Sequence, residues 1–463
     1  VRDLRVLLSR ERPKGVTLER IATACRAGVG AALLAIVACS VSRAVLADWN
    51  EIATQHAKEG TKWAYRADAI GALYSSDGAW FGAAEQFLAA DIDHWADFGL
   101  DGGLSFEKKL GDGTFFSELS GVYTSTSGDD ASGSTVGLTD TSALTLEQAH
   151  VGWKAADLFD GMENDTLSIT VGRQSYNVGT GLLINDGGAD GGENGGWYLG
   201  LRTAFSDALV ASLDSDRWLV EAFRLANRPR RAGTQGEAYG GNAEYKLDES
   251  TRLGGTLMQA DSNVPGEAKL DVLSARAEWR GAGKGSGALG FAGEYVDESS
   301  SQIAATGYYL EVRSFLNGSD VPIVSYRYAH FDGDDPATAK DERFREIAYG
   351  FSDWGAWYQG EITGQYALGN GNLVSHLVRF TTETDSSALN VLYYKLSLDE
   401  PAGFGVTSKD WGDELDLTID WQAGERLAVT GVIGALFPGD AAEQYAGGSD
   451  NWLHAMAYVK YSF

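Results

Sequence analysis

The sequence predicts an all-β fold: a transmembrane antiparallel β-barrel of about 18 strands (16–18) behind a cleaved N-terminal signal peptide. Three observations predict it. The N-terminus is basic and then briefly apolar. No apolar run after Ala47 approaches the ~20 residues that a transmembrane helix needs. The remaining chain alternates apolar and polar residues up to a terminal Phe463.

The leader comes first. Arg2, Arg5, Arg10, Arg12, Lys14, Arg20 and Arg26 precede the apolar stretch 27–38, which is too short to span a bilayer as a helix; that is a signal-peptide layout. Val45-Leu46-Ala47 offers a cleavage site, so residues 1–47 read as signal peptide and 48–463 as the mature barrel. Ile36-Val37-Ala38-Cys39 also fits a lipobox, a rival cleavage that would make Cys39 a lipidated N-terminus. Cys25 and Cys39 both fall in this leader, so the mature chain has no thiol. Disulfides, thiolate metal sites and a cysteine nucleophile are thereby excluded.

Composition narrows the class further. The chain carries a formal charge of −28, and removing the basic leader makes it more acidic still, which argues against a nucleic-acid partner. A mean hydropathy of −0.20 is too polar for helical spans. A closed barrel is the other structure that satisfies its backbone inside lipid.

The C-terminal segment shows the strand pattern most clearly. Leu453, Ala455, Ala457, Val459, Tyr461 and Phe463 fall on one face, and His454, Met456, Tyr458, Lys460 and Ser462 on the other. One face suits lipid, the other water. A last strand ending in Phe is also the kind of signal that barrel-assembly machinery reads. The same alternation places strands near 63–73, 98–106, 115–124, 144–153, 167–173, 204–213, 218–226, 238–247 and 252–259. Nine more follow near 272–280, 288–295, 306–315, 323–329, 373–382, 389–398, 414–421, 427–436 and 452–463.

Connection lengths test the count, because such barrels alternate short periplasmic turns with longer external loops. The connections 107–113, 214–216, 248–250, 281–287, 317–320, 383–387 and 422–426 are short, whereas 125–143, 174–203, 227–236, 330–372, 399–413 and 437–451 are longer. The connection 154–166 is long for its side. The two longest, 174–203 and 330–372, are long enough to fold inward and narrow a pore. Asp190 and Glu193, or Asp332, Asp334, Asp335 and Asp341, could offer hard oxygens to Ca²⁺. Neither set matches an EF-hand, and solvated carboxylates are the simpler reading.

Glu147-Gln148-Ala149-His150-Val151-Gly152-Trp153, Val171-Gly172-Arg173-Gln174, and Tyr326-Arg327-Tyr328-Ala329 leading to Gly333-Asp334-Asp335-Pro336 resemble the alginate-export outer-membrane proteins. The resemblance implies an 18-stranded barrel with an arginine-lined lumen that passes an anionic polysaccharide, with a periplasmic export partner. Only Arg173 and Gln174, with the loop Gly333-Asp334-Asp335-Pro336, match the motif residue by residue. At the end of an outward-running strand, Arg173 is expected at the pore mouth, where a guanidinium can hold a carboxylate through two parallel hydrogen bonds. The plainer reading is a rim arginine paired with a neighbouring carboxylate.

Alternation alone assigns Arg276, Arg313, Arg327, Lys395 and Lys460 to the lumen, with Arg379 ambiguous. Glu118, Glu244, Glu278, Glu294, Glu311, Glu414, Asp416 and Asp420 share that inner face, a mixture that differs from a purely cationic conduit. An enzyme is not expected. There is no Gly-x-Ser-x-Gly elbow, His-Glu-x-x-His or phosphate-binding loop, and His150 and His376 have no nucleophile at matching height. The expectation is therefore an outer-membrane channel without cofactor or metal. It would sit in outer-membrane lipid and pass anionic saccharides or uronates, with a general small-solute porin as the alternative.

Overall fold

The computed structural model describes residues 50–51, 60–84, 93–128, 140–156, 166–188, 192–229, 235–263, 269–281, 288–315, 322–350 and 359–463. The leader, its rival Cys39 cleavage and Asp190 lie outside the described residues. A short β1 (Asn50–Glu51) pairs with the first barrel strand. The barrel strands are β2 (Thr61–Asp77), β3 (His94–Leu110), β4 (Gly113–Gly128), β5 (Ser142–Ala156), β6 (Thr166–Gln174), β7 (Phe205–Asp214), β8 (Trp218–Ala226), β9 (Gly236–Lys246) and β10 (Thr251–Ser262). They continue as β11 (Leu270–Arg280), β12 (Ala288–Ser299), β13 (Ala304–Phe315), β14 (Pro322–Phe331), β15 (Leu373–Thr384), β16 (Ser387–Leu398), β17 (Asp410–Gln422), β18 (Leu427–Pro438) and β19 (Trp452–Ser462).

Each of these 18 strands pairs antiparallel with its sequence neighbours, and β19 returns to β2 with Leu453 opposite Asp77 and Ser462 opposite Asp68. The ring is closed and has no open edge among its spanning strands. Beyond the last strand residue, the Phe463 amide still donates to the Ala67 carbonyl at 2.9 Å. All 18 expected strands are present, most of them longer than alternation alone marked.

Alternation sets the two faces. Leu73 is 66% exposed, while its strand neighbours Ala72 and Tyr74 are 3% and 4% exposed. Leu144, Leu257 and Leu310 likewise point outward. In water such a surface would be costly, at roughly 25 cal/mol per Å² of apolar area; against acyl chains it is the stable arrangement. Two aromatic girdles bound the belt. At the short-turn end Trp63 packs on Phe106, Trp218 on Tyr245, and Trp279 on Phe291, with ring centroids 4.6, 4.4 and 5.5 Å apart. Tyr295, Tyr308 and Tyr328 cluster nearer the opposite end. Among the described residues no helix is long and apolar enough to cross a membrane; the strands do so.

The two ends differ as the connection lengths require. At one end the turns are tight: Gly111-Asp112 joins β3 to β4, with Gly111 at φ 62°, a left-handed value that glycine adopts without a Cβ clash. Asp385-Ser386 joins β15 to β16. At the other end, the described residues of segments 175–204 and 332–372 (175–188, 192–204, 332–350 and 359–372) leave the wall and pack inside the barrel. A short helix α1 (Asp440–Ala446) covers that rim between β18 and β19.

Candidate functional site

The inner face is built from every second residue of each strand, and its charges are mostly paired. Arg66 meets Asp101 at 2.9 Å and Glu118 at 3.4 Å, and Lys460 meets Asp68 at 3.3 Å. Farther round, Arg276 meets Glu244 at 2.8 Å and also donates to Asn242 and Thr256. Arg313 bridges Glu278 and Glu311, both at 3.0 Å. Such pairs brace neighbouring strands across the sheet.

The arginines of β11 to β15 descend in steps. By ladder register, Arg276 is level with Glu294 and Tyr309, Arg327 with Glu311, and Arg379 with Ser325 and Arg313. Each level lies one pleat closer to the short-turn end. Arg276, Arg313, Arg327 and Arg379 thus share one stretch of inner wall, which resolves the sequence ambiguity at Arg379.

Two loops narrow the space beside this wall. In the first, Ser175 exchanges hydrogen bonds with Gln148, and Glu147 accepts from the amides of Thr203 and Ala204 at 2.9 and 2.8 Å while pairing with Arg228. These contacts hold both ends of the loop against the wall. Its apolar run Val178, Leu182, Leu183 and Ile184 is buried. Thr180 reaches across to Glu294 at 3.2 Å, and the Tyr198 ring lies 5.9 Å from Trp95 and 5.4 Å from Tyr366. Burial raises the Tyr176 and Tyr366 hydroxyls above the usual tyrosine range.

The second loop meets the first. The Asn185 amide donates to the Ala348 carbonyl at 2.7 Å and the Ala348 amide to the Leu183 carbonyl at 3.1 Å, a small parallel bridge inside the barrel. Deeper in, the Ile362 and Thr363 amides donate to the Glu414 carboxylate at 2.6 and 2.9 Å, and the Glu361 amide to Asp416 at 2.9 Å. Backbone amides converging on carboxylates fix this segment to β17. Tyr366 then packs among Trp452, His454 and Tyr198.

The sequence-derived site residues distribute as follows. Gln174, Arg276, Arg313, Arg327 and Lys460 lie on the inner face, as do Glu118, Glu244, Glu278, Glu294, Glu311, Glu414, Asp416 and Asp420. Lys395 does not. On β16 the inward residues are Leu392, Tyr394, Leu396 and Leu398, all fully buried, so Lys395 faces outward beside Tyr393 and pairs with Asp410 and Asp413 at 2.6 and 3.3 Å. The rule that apolar residues face lipid fails here because this part of the inner wall is itself apolar and covered from within. Arg173 stands at a β-bulge after Gly172, opposite Ala149 of β5 and apart from the arginine wall. His150 lies beside Phe116, and His376 accepts or donates at Tyr326 Oη, 2.8 Å away.

Three of the acidic loop residues considered for Ca²⁺ make contacts within their own loop. Asp335 accepts from the Ala337 amide, Asp334 from the Glu342 amide, and Asp341 pairs with Arg345. Sequence reasoning did not find the inward anchors Glu147, Glu414 and Asp416 as loop holders. The signal available was Leu182-Leu183-Ile184, an apolar run stranded within a glycine-rich loop.

No family model, that of the alginate-export proteins included, and no curated protein matches the chain. Solved outer-membrane barrels are similar in fold. The outer membrane protein OpdK of Pseudomonas aeruginosa, solved with vanillate, aligns over 86% of this chain and 98% of its own, at 12% identity and a TM-score of 0.55. OccK5 (OpdH) of the same organism aligns over 88% and 98%, at 12% identity and a TM-score of 0.52. Identities this low establish the shared barrel fold.

Proposed function

We propose that this chain is an outer-membrane channel selective for small carboxylate-bearing solutes, sugar acids and uronates foremost. The observation that carries this reading is the stepped wall of Arg276, Arg327, Arg313 and Arg379. Planar guanidiniums spaced one pleat apart can pass a carboxylate from one to the next, each step exchanging one charge-assisted hydrogen bond for another. The solved relative OpdK holds vanillate, an aromatic carboxylate, in keeping with this chemistry.

The inward loops favour small solutes over a polymer. Arg327 is fully buried in the arrangement described, so a solute reaches it after the loops shift. The alginate-type reading therefore carries over as uronate chemistry rather than as an open polysaccharide conduit. Arg173 and Gln174, at the mouth beside the first loop, would be early contacts, and Lys460 with Asp68 lies on the opposite wall. The terminal Phe463 suits recognition by barrel-assembly machinery, and residues 1–47 suit export of the chain to that membrane.

The competing reading is a general porin, favoured by the pairing of most inner arginines with carboxylates. Reversal potentials in planar bilayers separate the two. A potassium galacturonate gradient should reveal selectivity for the organic anion, and the double substitution Arg313→Ala with Arg379→Ala should abolish it. Cation preference in the wild-type barrel, or unchanged selectivity in the double variant, would refute the proposal.

A further inference from the structure

We propose that His330, Asp332 and Asp399 form a binding site for a divalent first-row transition-metal ion, with Zn²⁺ as its simplest occupant. His330 and Asp332 share a face at the end of β14, and Asp399 follows the last residue of β16. The His330 Nε2 atom lies 3.3 Å from an Asp332 oxygen and 3.3 Å from an Asp399 oxygen. The three ligand atoms fall within 4.8 Å of one another. Donors bound to one ion at about 2.0–2.2 Å and tetrahedral or octahedral angles stand roughly 3.0–3.5 Å apart, which is the spacing found around Nε2.

The remaining atoms of each ligand are already engaged. The second Asp332 oxygen accepts from the Thr306 amide at 2.6 Å and from its hydroxyl at 2.8 Å. The second Asp399 oxygen accepts from the Gly333 amide at 3.0 Å. His330 Nδ1 faces the Tyr308 hydroxyl at 3.3 Å. Such outer partners orient metal ligands and fix the histidine tautomer. Nε2 itself is buried and faces the two carboxylate oxygens alone. The three side chains are 22–26% exposed on the outward row at the long-loop rim, where β14 and β16 end, so an ion would enter from the water above the aromatic girdle and keep water in its open positions.

One imidazole with two carboxylates suits Zn²⁺, Ni²⁺ or Cu²⁺ over the all-oxygen preference of Ca²⁺ and Mg²⁺. The place gives the ion a structural role. The Asp332 carbonyl accepts from the Phe344 and Asn372 amides, and the Asn372 side chain exchanges two hydrogen bonds with Glu400. Both ends of the inward loop 332–372 meet the 399–400 strand exit here, and a bound ion would lock that junction.

The test uses the mature barrel refolded in detergent without a polyhistidine tag, titrated with ZnCl₂ by calorimetry. One Zn²⁺ should bind per barrel. His330→Gln and Asp399→Asn should each lose more than the roughly 10–100-fold that removal of an outer partner costs, while the outward-facing His376→Gln binds as the wild type does. Asp399→Asn keeps an oxygen for the Gly333 amide and so preserves the local fold, checked by heat-modified gel mobility. The alternative occupant of the space is a proton on His330, giving an ion pair with both carboxylates. Absence of Zn²⁺ binding by the wild type, or wild-type affinity in Asp399→Asn, would establish that arrangement and overturn the metal site.

Discussion

Replacing Glu414 by Ala tests whether the inward loops are a gate held by specific bonds. Its carboxylate is fully buried and accepts the Ile362 and Thr363 amides at 2.6 and 2.9 Å, while Asp416 keeps the Glu361 amide. Glu414→Ala leaves two buried N–H groups without acceptors. Each hydrogen bond to a charged group contributes about 1.5–3 kcal/mol, and deleting a carboxylate from a crowded acidic site returns some of that. A net loss of about 3 kcal/mol corresponds to roughly a hundredfold shift towards the undocked loop. The barrel wall is unaffected, because the ladders of β17 with β16 and β18 are backbone bonds. Single-channel recording should show larger or more frequent openings. Hydrogen exchange should accelerate at 359–368 while strand amides stay protected. Wild-type conductance together with unchanged exchange at 359–368 would refute the gate.

Three further outcomes are expected. Glu147→Ala removes the acceptor of the Thr203 and Ala204 amides and the partner of Arg228, so segment 175–204 should become sensitive to added protease while the barrel resists. Leu257→Arg places a cation on the lipid face and should lower stability by about 2–4 kcal/mol in lipid-vesicle unfolding titrations if that residue lies near the bilayer midplane; a neutral effect would place Leu257 at an interface. Glu346 accepts from the Asn370 amide within loop 332–372, and desolvation of its carboxyl end by the surrounding protein, which outweighs that hydrogen bond, pushes it up to about 7 from 4.5 while the rest of the side chain is open to solvent. An acid raised on docking favours the docked state fully below about 4.5, and that preference is lost as pH rises through 7. Exchange protection in this loop, taken relative to the intrinsic rate at each pH, should therefore fall over that interval, and Glu346→Gln should flatten the profile.

The strand pattern was legible because one physical rule, apolar towards lipid and polar towards water, repeats along every strand. Strand number and connection side followed from it. Alternation shows that Leu392, Tyr394 and Leu396 oppose Tyr393 and Lys395, yet it cannot say which row faces in. Lys395 was misplaced for that reason. Its inner neighbours touch neither water nor lipid but protein from the interior, a third environment that the rule does not contain. The loop anchors were illegible for a different reason. Thr180 with Glu294, and Ile362 with Glu414, are 114 and 52 residues apart, and nothing local marks either pair. The stepped arginines were visible as inward residues, but their heights depend on register across five strands.

The bridge between Leu183-Asn185 and Ala348 joins two loops that start from opposite parts of the ring. Neither can swing out alone without stripping three backbone hydrogen bonds from the other, since the Asp186 amide also donates to the Ala348 carbonyl, so the pair behaves as a single latch with two positions. Current through the barrel should then jump between discrete levels instead of grading, and a substitution in one loop should alter the dwell times set by the other.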